Sequence, residues 1–493
     1  MSRPLIIAAR TLALAFVLAP AAPMFASAQP QQAPVTAPSP MPLPTVSASP
    51  IPYPAYGSPA PDVAAQRQRA GVPTSVTLEQ ATDISVAQSP AFASERAQYR
   101  AIYAKYGAEQ GALFPNISAD GSLTRTYGSS NGASNSSGTN TANTGSTIVT
   151  RESATISITQ LIYDGGRVIA GIRTAKEADI AGRDTLVRQL QTLAFNVANA
   201  YYGVLQADAT VDADALVVRQ FETQENAISA QIRAGAAARS DLAAAQAQTA
   251  QARGALVAAQ SSAIGAQATF ATTLGLDADT AVQPQHLSNS PPQVRTLPYQ
   301  EALNEALNLR PDYLAAIHTV ESSQENLRFA KLARFPTIDA NGSTGTGRLL
   351  VGGPNGSLPF SGSGTLGASI SIPIYDQGLT NYNVALAASQ VDQANASLVT
   401  TKLTVESDVR TALSQVISAR AALVEAQSGL NSAVVNVQAT EARYKVGAAT
   451  ITDIVTAQSL FATASSTYVN ALYAERISEE RYTFAIGASD LKL

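Results

Sequence analysis

Phe114-Pro115-Asn116-Ile117-Ser118-Ala119-Asp120-Gly121-Ser122 returns as Phe335-Pro336-Thr337-Ile338-Asp339-Ala340-Asn341-Gly342-Ser343, an offset of 221 residues. In each copy a Phe-Pro step leads into alternating apolar and polar residues. Period two gives a strand with one apolar and one polar face. Working outward, Ala81 and Pro90 recur as Ala302 and Pro311 at the same offset. Downstream, Ile162-Tyr163-Asp164 recurs as Ile374-Tyr375-Asp376, now at an offset of 212. Gly235, Ser240-Asp241, Gln246 and Gly275 likewise match Gly447, Thr452-Asp453, Gln458 and Gly487. The offset changes once, between Phe114 and Tyr163, where the first copy carries a longer polar loop. A chain that contains itself twice builds two similar halves on one plan.

Each copy supplies two strand segments. Ile117, Ala119, Gly121 and Leu123 alternate with Ser118, Asp120, Ser122 and Thr124; Ala154, Ile156 and Ile158 form a second series. Ile338, Ala340 and Gly342 form the third, and Leu366, Ala368, Ile370, Ile372 and Ile374 the fourth. The strands are expected at about 116–127, 150–162, 336–346 and 365–374. Gly/Ser/Asn/Thr-rich loops, Gly128 to Thr147 and Gly347 to Ser363, join the pairs. Such loops read as solvated.

Helices fill the rest. Thr77 to Ala81 opens a short one, and Ser89-Pro90 places a cap before a proline at the first helical position. That helix runs to about Ala112, before Pro115; the second copy repeats the plan from Gln300, with Pro311 as its start signal. Leu186, Leu190, Leu193, Val197, Ala200 and Val204 step by four and three, as do Val409, Leu413, Val416, Ala419, Leu423 and Ala426. This is the rhythm of a helix packed on helices. From Asp164 to about Gln231 no proline intervenes, so a helix there would reach about 100 Å. Each long helix breaks at a glycine turn, Arg233-Ala234-Gly235 and Lys445-Val446-Gly447. Each is expected to resume after Ser240-Asp241 or Thr452-Asp453, where a hydroxyl can cap and an acid meets the positive helix end.

Composition narrows the class. Met1 to Ala28 reads as a secretory signal: Arg3 and Arg10, an apolar run from Thr11 to Ala22, then Ala26-Ser27-Ala28. Residues 29–75 hold twelve of the 26 prolines; the run from Pro30 to Pro61 cannot form helix or sheet interior, and the stretch reads as a disordered linker or tail. The chain has no cysteine, so disulfides, thiolate metal sites and cysteine catalysis are out. His286 and His318 are the only imidazoles; neither has a partner at metal-ligand spacing, and both read as surface or packing residues. No cofactor or metal is expected. Net charge is -4, so no basic face for nucleic acid is expected. No second apolar stretch is long enough for a membrane helix, but β-strands can still cross one. Four strands are too few for a barrel, since open edges are not tolerated in lipid. The fold class is therefore mainly α with a membrane β-barrel part. It has two structural repeats per chain and is completed by a ring of subunits.

These features together resemble the TolC family of outer-membrane efflux and secretion channels, over about residues 76–490. The resemblance rests on the duplicated unit, the Phe-Pro strand entries and the two Ile-Tyr-Asp junctions. Its most specific element is Arg443-Tyr444-Lys445-Val446-Gly447-Ala448-Ala449-Thr450-Ile451-Thr452-Asp453-Ile454-Val455, with Gln458 behind it. It divides the chain into a signal peptide (1–28), a linker (29–75), a first repeat (76–282), an inter-repeat linker (283–295) and a second repeat (296–493).

The resemblance implies a homotrimer whose strands form one 12-stranded outer-membrane barrel above an α-helical tube crossing the periplasm. It further implies an exit duct of a tripartite efflux pump or type I secretion system. Its partners would be a periplasmic adaptor, an inner-membrane ABC or proton-driven transporter, and outer-membrane lipid. It implies that Asp453 points into the pore near its narrowest point, where three copies make an acidic ring that favours cations. Read without the resemblance, Asp453 is an N-terminal helix charge. Members of the family can carry a second acid three residues on; here that position is Thr456. Asp241 and Tyr444 match positions that tie a closed periplasmic gate through an arginine. The arginine's own position is Ala449, with Arg239 and Arg443 nearby. Gly235 and Gly447 are expected to supply left-handed turns, and by resemblance to dock the adaptor. Tyr127, Tyr163, Phe335 and Tyr375 flank the strands, either at the membrane–water boundary or packed at the strand–helix junction.

Gly362-Ser363-Gly364-Thr365-Leu366-Gly367 matches a dinucleotide fingerprint but lacks the strand before and the helix after. Asn116-Ile117-Ser118 matches a glycosylation acceptor inside an expected strand. The alternative function is a structural coiled-coil envelope protein or adhesin without a pore. No nucleophile–base pair or carboxylate constellation points to an enzyme.

Overall fold

The computed structural model describes residues 75–129, 146–235, 238–285, 294–351, 359 and 361–488. The export signal, the proline-rich stretch up to residue 74, the middles of both polar loops and His286 lie outside these residues. The first copy comprises β1 (Ser75–Val76), α1 (Leu78–Gln88), α2 (Pro90–Gly111), β2 (Asn116–Ser129), β3 (Ser146–Tyr163), α3 (Arg167–Arg233) and α4 (Arg239–Thr273). After β4 (Gln283–Pro284), the second comprises α5 (Tyr299–Leu309), α6 (Pro311–Leu332), β5 (Thr337–Val351), β6 (Ser361–Ser371), α7 (Leu379–Lys445) and α8 (Ile451–Ile486).

Local chemistry sets the helix starts. Thr77 and Gln80 form a reciprocal capping box at α1. Ser89 Oγ accepts the Phe92 N–H at 3.4 Å, with Pro90 at the first helical position of α2. The second copy keeps the proline but not the cap. Arg310 stands where Ser89 would, 2% exposed, with Nη2 2.6 Å from Asp312 Oδ2 and Nη1 3.0 Å from Asp408 Oδ2. The Ile-Tyr-Asp motif has a direct explanation. Asp164 accepts N–H bonds from Gly166 (2.9 Å) and Val168 (2.5 Å) at the start of α3. Asp376 accepts them from Gly378 (3.1 Å) and Thr380 (2.8 Å) at the start of α7. The carboxylate satisfies helix N–H groups that have no partner of their own.

The helix restarts after the glycine turns differ from expectation. In α8 the N-cap is Thr450, not Thr452, and Asp453 is the third helical residue. In α4 the N-cap position is Ala238, which has no side-chain acceptor. The chain leaves the turn two residues earlier than the hydroxyl residues indicate.

Four strands form one antiparallel sheet in the order β2-β3-β5-β6. Ile117 pairs with Ile158, Ile158 with Gly342, and Gly342 with Leu366, so these residues share a face. That face is apolar and uncovered: Ile117 is 67% and Leu366 91% exposed. The other face carries hydroxyl pairs, Ser118–Ser157 at 2.7 Å, Ser122–Ser153 at 2.8 Å and Ser343–Thr365 at 2.8 Å. The strands also extend differently from expectation. β2, β3 and β5 run further into the loops, to Ser129, from Ser146 and to Val351; β6 begins at Ser361 and stops at Ser371. Pro373, with no N–H to give a ladder, lies just beyond. The Gly362–Gly367 stretch lies inside β6.

The long helices α3 and α7 are each 67 residues. α3 packs along α4 and α6, and α7 along α8 and α6. Two buried clusters occupy equivalent places. Ala81, Val197, Val204, Phe270 and Leu274 build one; Ala302, Val409, Val416, Tyr482 and Ile486 build the other. The parallel pair β1–β4, Ser75 to Gln283 and Val76 to Pro284, was not expected from sequence. Tyr201 Oη donates to Gln285 O beside it at 2.7 Å. No described helix is long and apolar enough to cross a membrane; the exposed apolar face of the sheet is of a kind that suits lipid.

Candidate functional site

Every residue singled out for the pore and gate lies in the turns joining α3 to α4 and α7 to α8 or in the helix ends beside them. Gly235 (φ 76°) and Gly447 (φ 74°) take left-handed backbone. A Cβ on either would meet nothing within 4 Å. Glycine is needed there for conformation and not for space.

Asp453 is exposed, and its Oδ2 accepts from Thr450 N and Thr450 Oγ1, each at 2.8 Å. Thr450 Oγ1 accepts in return from Asp453 N at 3.3 Å. The Thr450 backbone N–H and hydroxyl hold the Asp453 carboxyl below the usual carboxylate range, with Arg443 adding to the effect. It is therefore ionised at neutral pH. Asp453 thus caps its helix and presents a negative charge at the turn. Thr456 is exposed, and its Oγ1 donates to Thr452 O at 2.8 Å within its own helix.

Asp241 and Tyr444 come near each other without bonding. Tyr444 Oη donates to Gln231 Oε1 at 3.0 Å, tying α7 to α3 just before the turns. Burial first, and the Asp241 charge second, push the Tyr444 hydroxyl up. Asp241 Oδ2 accepts the Ala238 N–H at 3.3 Å, and its Oδ1 accepts from Ser240 Oγ at 3.3 Å. Arg443 Nη2 donates to Ala448 O across its own turn at 3.2 Å. The side-chain bond that joins the two long helices here is thus Tyr444–Gln231. Gln231 was missed because it has no counterpart in the repeat: its equivalent is Arg443, and that of Tyr444 is Ile232. A contact across 213 residues outside the duplicated pattern leaves no local signal.

Comparison with known proteins places this geometry. The sequence matches the outer membrane efflux protein family twice, over residues 82–276 and 302–488. It is 26% identical to outer membrane protein TolC of Escherichia coli K12 over 433 residues, 81% of this chain and 80% of that one. It is 25% identical to outer membrane efflux protein BepC of Brucella suis over 307 residues, 62% and 65% of the two chains. In fold it is similar to the Campylobacter jejuni CmeC outer membrane channel, with a TM-score of 0.72 at 17% identity over 83% of this chain and 85% of that one. The chain belongs to the outer membrane efflux protein family: it is an outer-membrane channel reaching into the periplasm, the exit duct of an efflux pump and not an enzyme.

Proposed function

We propose that three copies of this chain form the duct, joined at its periplasmic end through an adaptor to an inner-membrane ABC or proton-driven transporter. One observation carries the reading: a four-stranded sheet, apolar on one face and hydroxyl-rich on the other, whose outer strands are β2 and β6. In lipid every strand edge must pair, so β6 of one copy pairs with β2 of the next. Twelve strands suit a closed barrel with a wet interior. The chain supplies the passage; the energy comes from the transporter.

In this reading the turns Gly235 and Gly447 lie at the periplasmic end and meet the adaptor. Asp453 forms an acidic ring at the constriction, single because Thr456 stands where a second acid would. Asp241 and Tyr444 line the gate; Ala449 stands where the arginine would, and Tyr444 bonds to Gln231 instead. The support is the cluster of these residues at one end of the helices, with the Asp453 charge exposed.

The native mass of protein extracted in detergent, corrected for bound detergent, is expected to be that of a trimer. A monomer that stays soluble without detergent would remove the barrel. In planar bilayers, Asp453→Ala is expected to lose much of the cation preference while folding and assembling normally. Unchanged selectivity would leave Asp453 with its capping role alone.

A further inference from the structure

We infer that each chain carries a site for a divalent transition-metal ion, Zn2+ foremost, that bridges α3 and α6 through Glu177, His318 and Glu321. His318 Nδ1 lies 3.1 Å from Glu177 Oε2 and 3.1 Å from Glu321 Oε2. All three donor atoms fall within 4.8 Å of one another. Donors held about 2.1 Å from one ion stand about 3.0–3.4 Å apart, and the two separations from the imidazole match. Nδ1 can carry one proton, which points along one direction, yet two carboxylate oxygens converge on it. A divalent ion in that place satisfies all three donors at once.

The helices hold the donors ready. His318 and Glu321, three residues apart, share a face of α6. Glu177 comes from the antiparallel α3, and Glu177 and His318 are partly buried in the groove between them. The groove is pinned beside the site, where Ser322 Oγ donates to Thr174 O at 3.0 Å and Arg173 lies 4.0 Å from Glu325. One imidazole with two carboxylates is a donor set for zinc and its transition-metal neighbours; calcium and magnesium prefer oxygen throughout. Three protein donors leave at least one position to solvent.

This corrects the reading of His318 as an ordinary surface or packing residue. The Glu321 spacing lies in the sequence, but Glu177 is 141 residues away. The duplication also fixes the number of sites. The positions equivalent to Glu177, His318 and Glu321 in the other copy are Ser389, Ala97 and Arg100. They offer no comparable ligand set, and Arg100 would repel a cation. The site therefore occurs once per chain.

The test uses the full chain in detergent, stripped by a chelator, dialysed and titrated with Zn2+ by calorimetry. Expected is saturable uptake of one ion per chain and a Zn2+-dependent rise in thermal midpoint. His318→Ala and Glu177→Gln are each expected to weaken binding by more than the roughly tenfold that loss of an outer-shell partner costs. His286→Ala, which removes the other imidazole, leaves binding unchanged. Should His318→Ala fail to assemble, Glu321→Gln is read in its place, with the same loss expected. No saturable uptake by the wild-type chain would overturn the site and leave an imidazole bonded to two carboxylates. An isotherm unchanged in all three ligand variants would overturn it equally.

Discussion

Phe335 and Phe114 open equivalent strands in the two copies, and their surroundings differ. The Phe335 ring lies so close to Gly165 that a Cβ there would overlap it. Phe114 is 71% exposed against 47% for Phe335, and Tyr375 is 85% exposed against 46% for Tyr163. The filled seam is internal, β3 against β5 and α3 against α6. The bare surfaces are the same faces at the outer strands. One chain therefore displays, inside itself, a template for the seam expected between copies in the proposed trimer: Phe114 is the counterpart of Phe335, and Gln377 that of Gly165, so Phe114 of one copy would meet the turn at Gln377 of the next. Gln377 occupies left-handed backbone (φ 58°), where the first copy has Gly165 (φ 72°).

The largest expected departure from symmetry is at the short-helix junctions. Arg310→Ala leaves Asp312 and Asp408 without their shared guanidinium and is expected to cost about 3 kcal/mol, near the lower end for a broken buried pair because both carboxylates are partly exposed. Ser89→Ala at the equivalent position removes one cap and is expected to cost about 1 kcal/mol. Denaturation of the two variants side by side checks the ratio; equal losses would mean that the Arg310 ion pairs contribute no more than a single helix cap.

Next in size, Gly165→Ala meets both Phe335 and a left-handed backbone and is expected to destabilise by about 2 kcal/mol. Gln377→Gly relieves strain at the matching turn and is expected to stabilise by about 1 kcal/mol. Opposite signs sharpen the comparison. Two losses would show that the Gln377 side chain itself packs in the seam between chains.

The smallest expected effect concerns the two turns. Thr450→Ala is expected to cost about 1 kcal/mol, and Ala238→Thr to gain a similar or smaller amount, both read by hydrogen exchange at the helix starts. Asp453 has a folded-state pKa below its unfolded value. Its contribution is present above the unfolded pKa of about 3.9 and is lost as pH falls through the folded value. Thr450→Ala removes the hydroxyl bond and keeps the backbone N–H bond to the carboxylate, so the carboxyl returns part of the way toward its ordinary range, and the pH at which the proposed cation selectivity fades is expected to rise slightly. An unchanged profile would show that the Thr450 hydroxyl adds nothing to the hold of its backbone N–H on Asp453.

Much of the fold was legible because it is periodic. The heptad steps through Leu190, Val197 and Val204, the alternation at Ile117 to Leu123, and the cap at Ser89 each repeat or act over a few residues. The Ile-Tyr-Asp motif marked both strand–helix junctions, because a carboxylate there has one local task. Where the reading failed, long-range contacts decide. The two-residue β1–β4 pair has no periodicity to read, and β6 ends early because Pro373 interrupts a pattern that otherwise continues to Ile374. At Ala238 the helix starts without a side-chain cap, and Asp241 accepts the Ala238 N–H in its place. The candidate site was legible as a neighbourhood, through Gly235, Gly447, Asp241 and Asp453. Its Tyr444–Gln231 bond was not, because it joins unlike positions of the two copies.

Equal length in α3 and α7 carries a mechanical consequence. Each is a rod about 100 Å long. Near its middle each enters a buried cluster, α3 at Val197 to Leu205 and α7 at Val405 to Val416. A rigid rod that pivots about its centre is a lever with two arms. A tilt of about 5° moves either end by about 4 Å while side chains at the fulcrum scarcely shift. A small rotation about the packed waist would therefore move the glycine turns and the strand ends in opposite senses, and by more than anything at the waist itself.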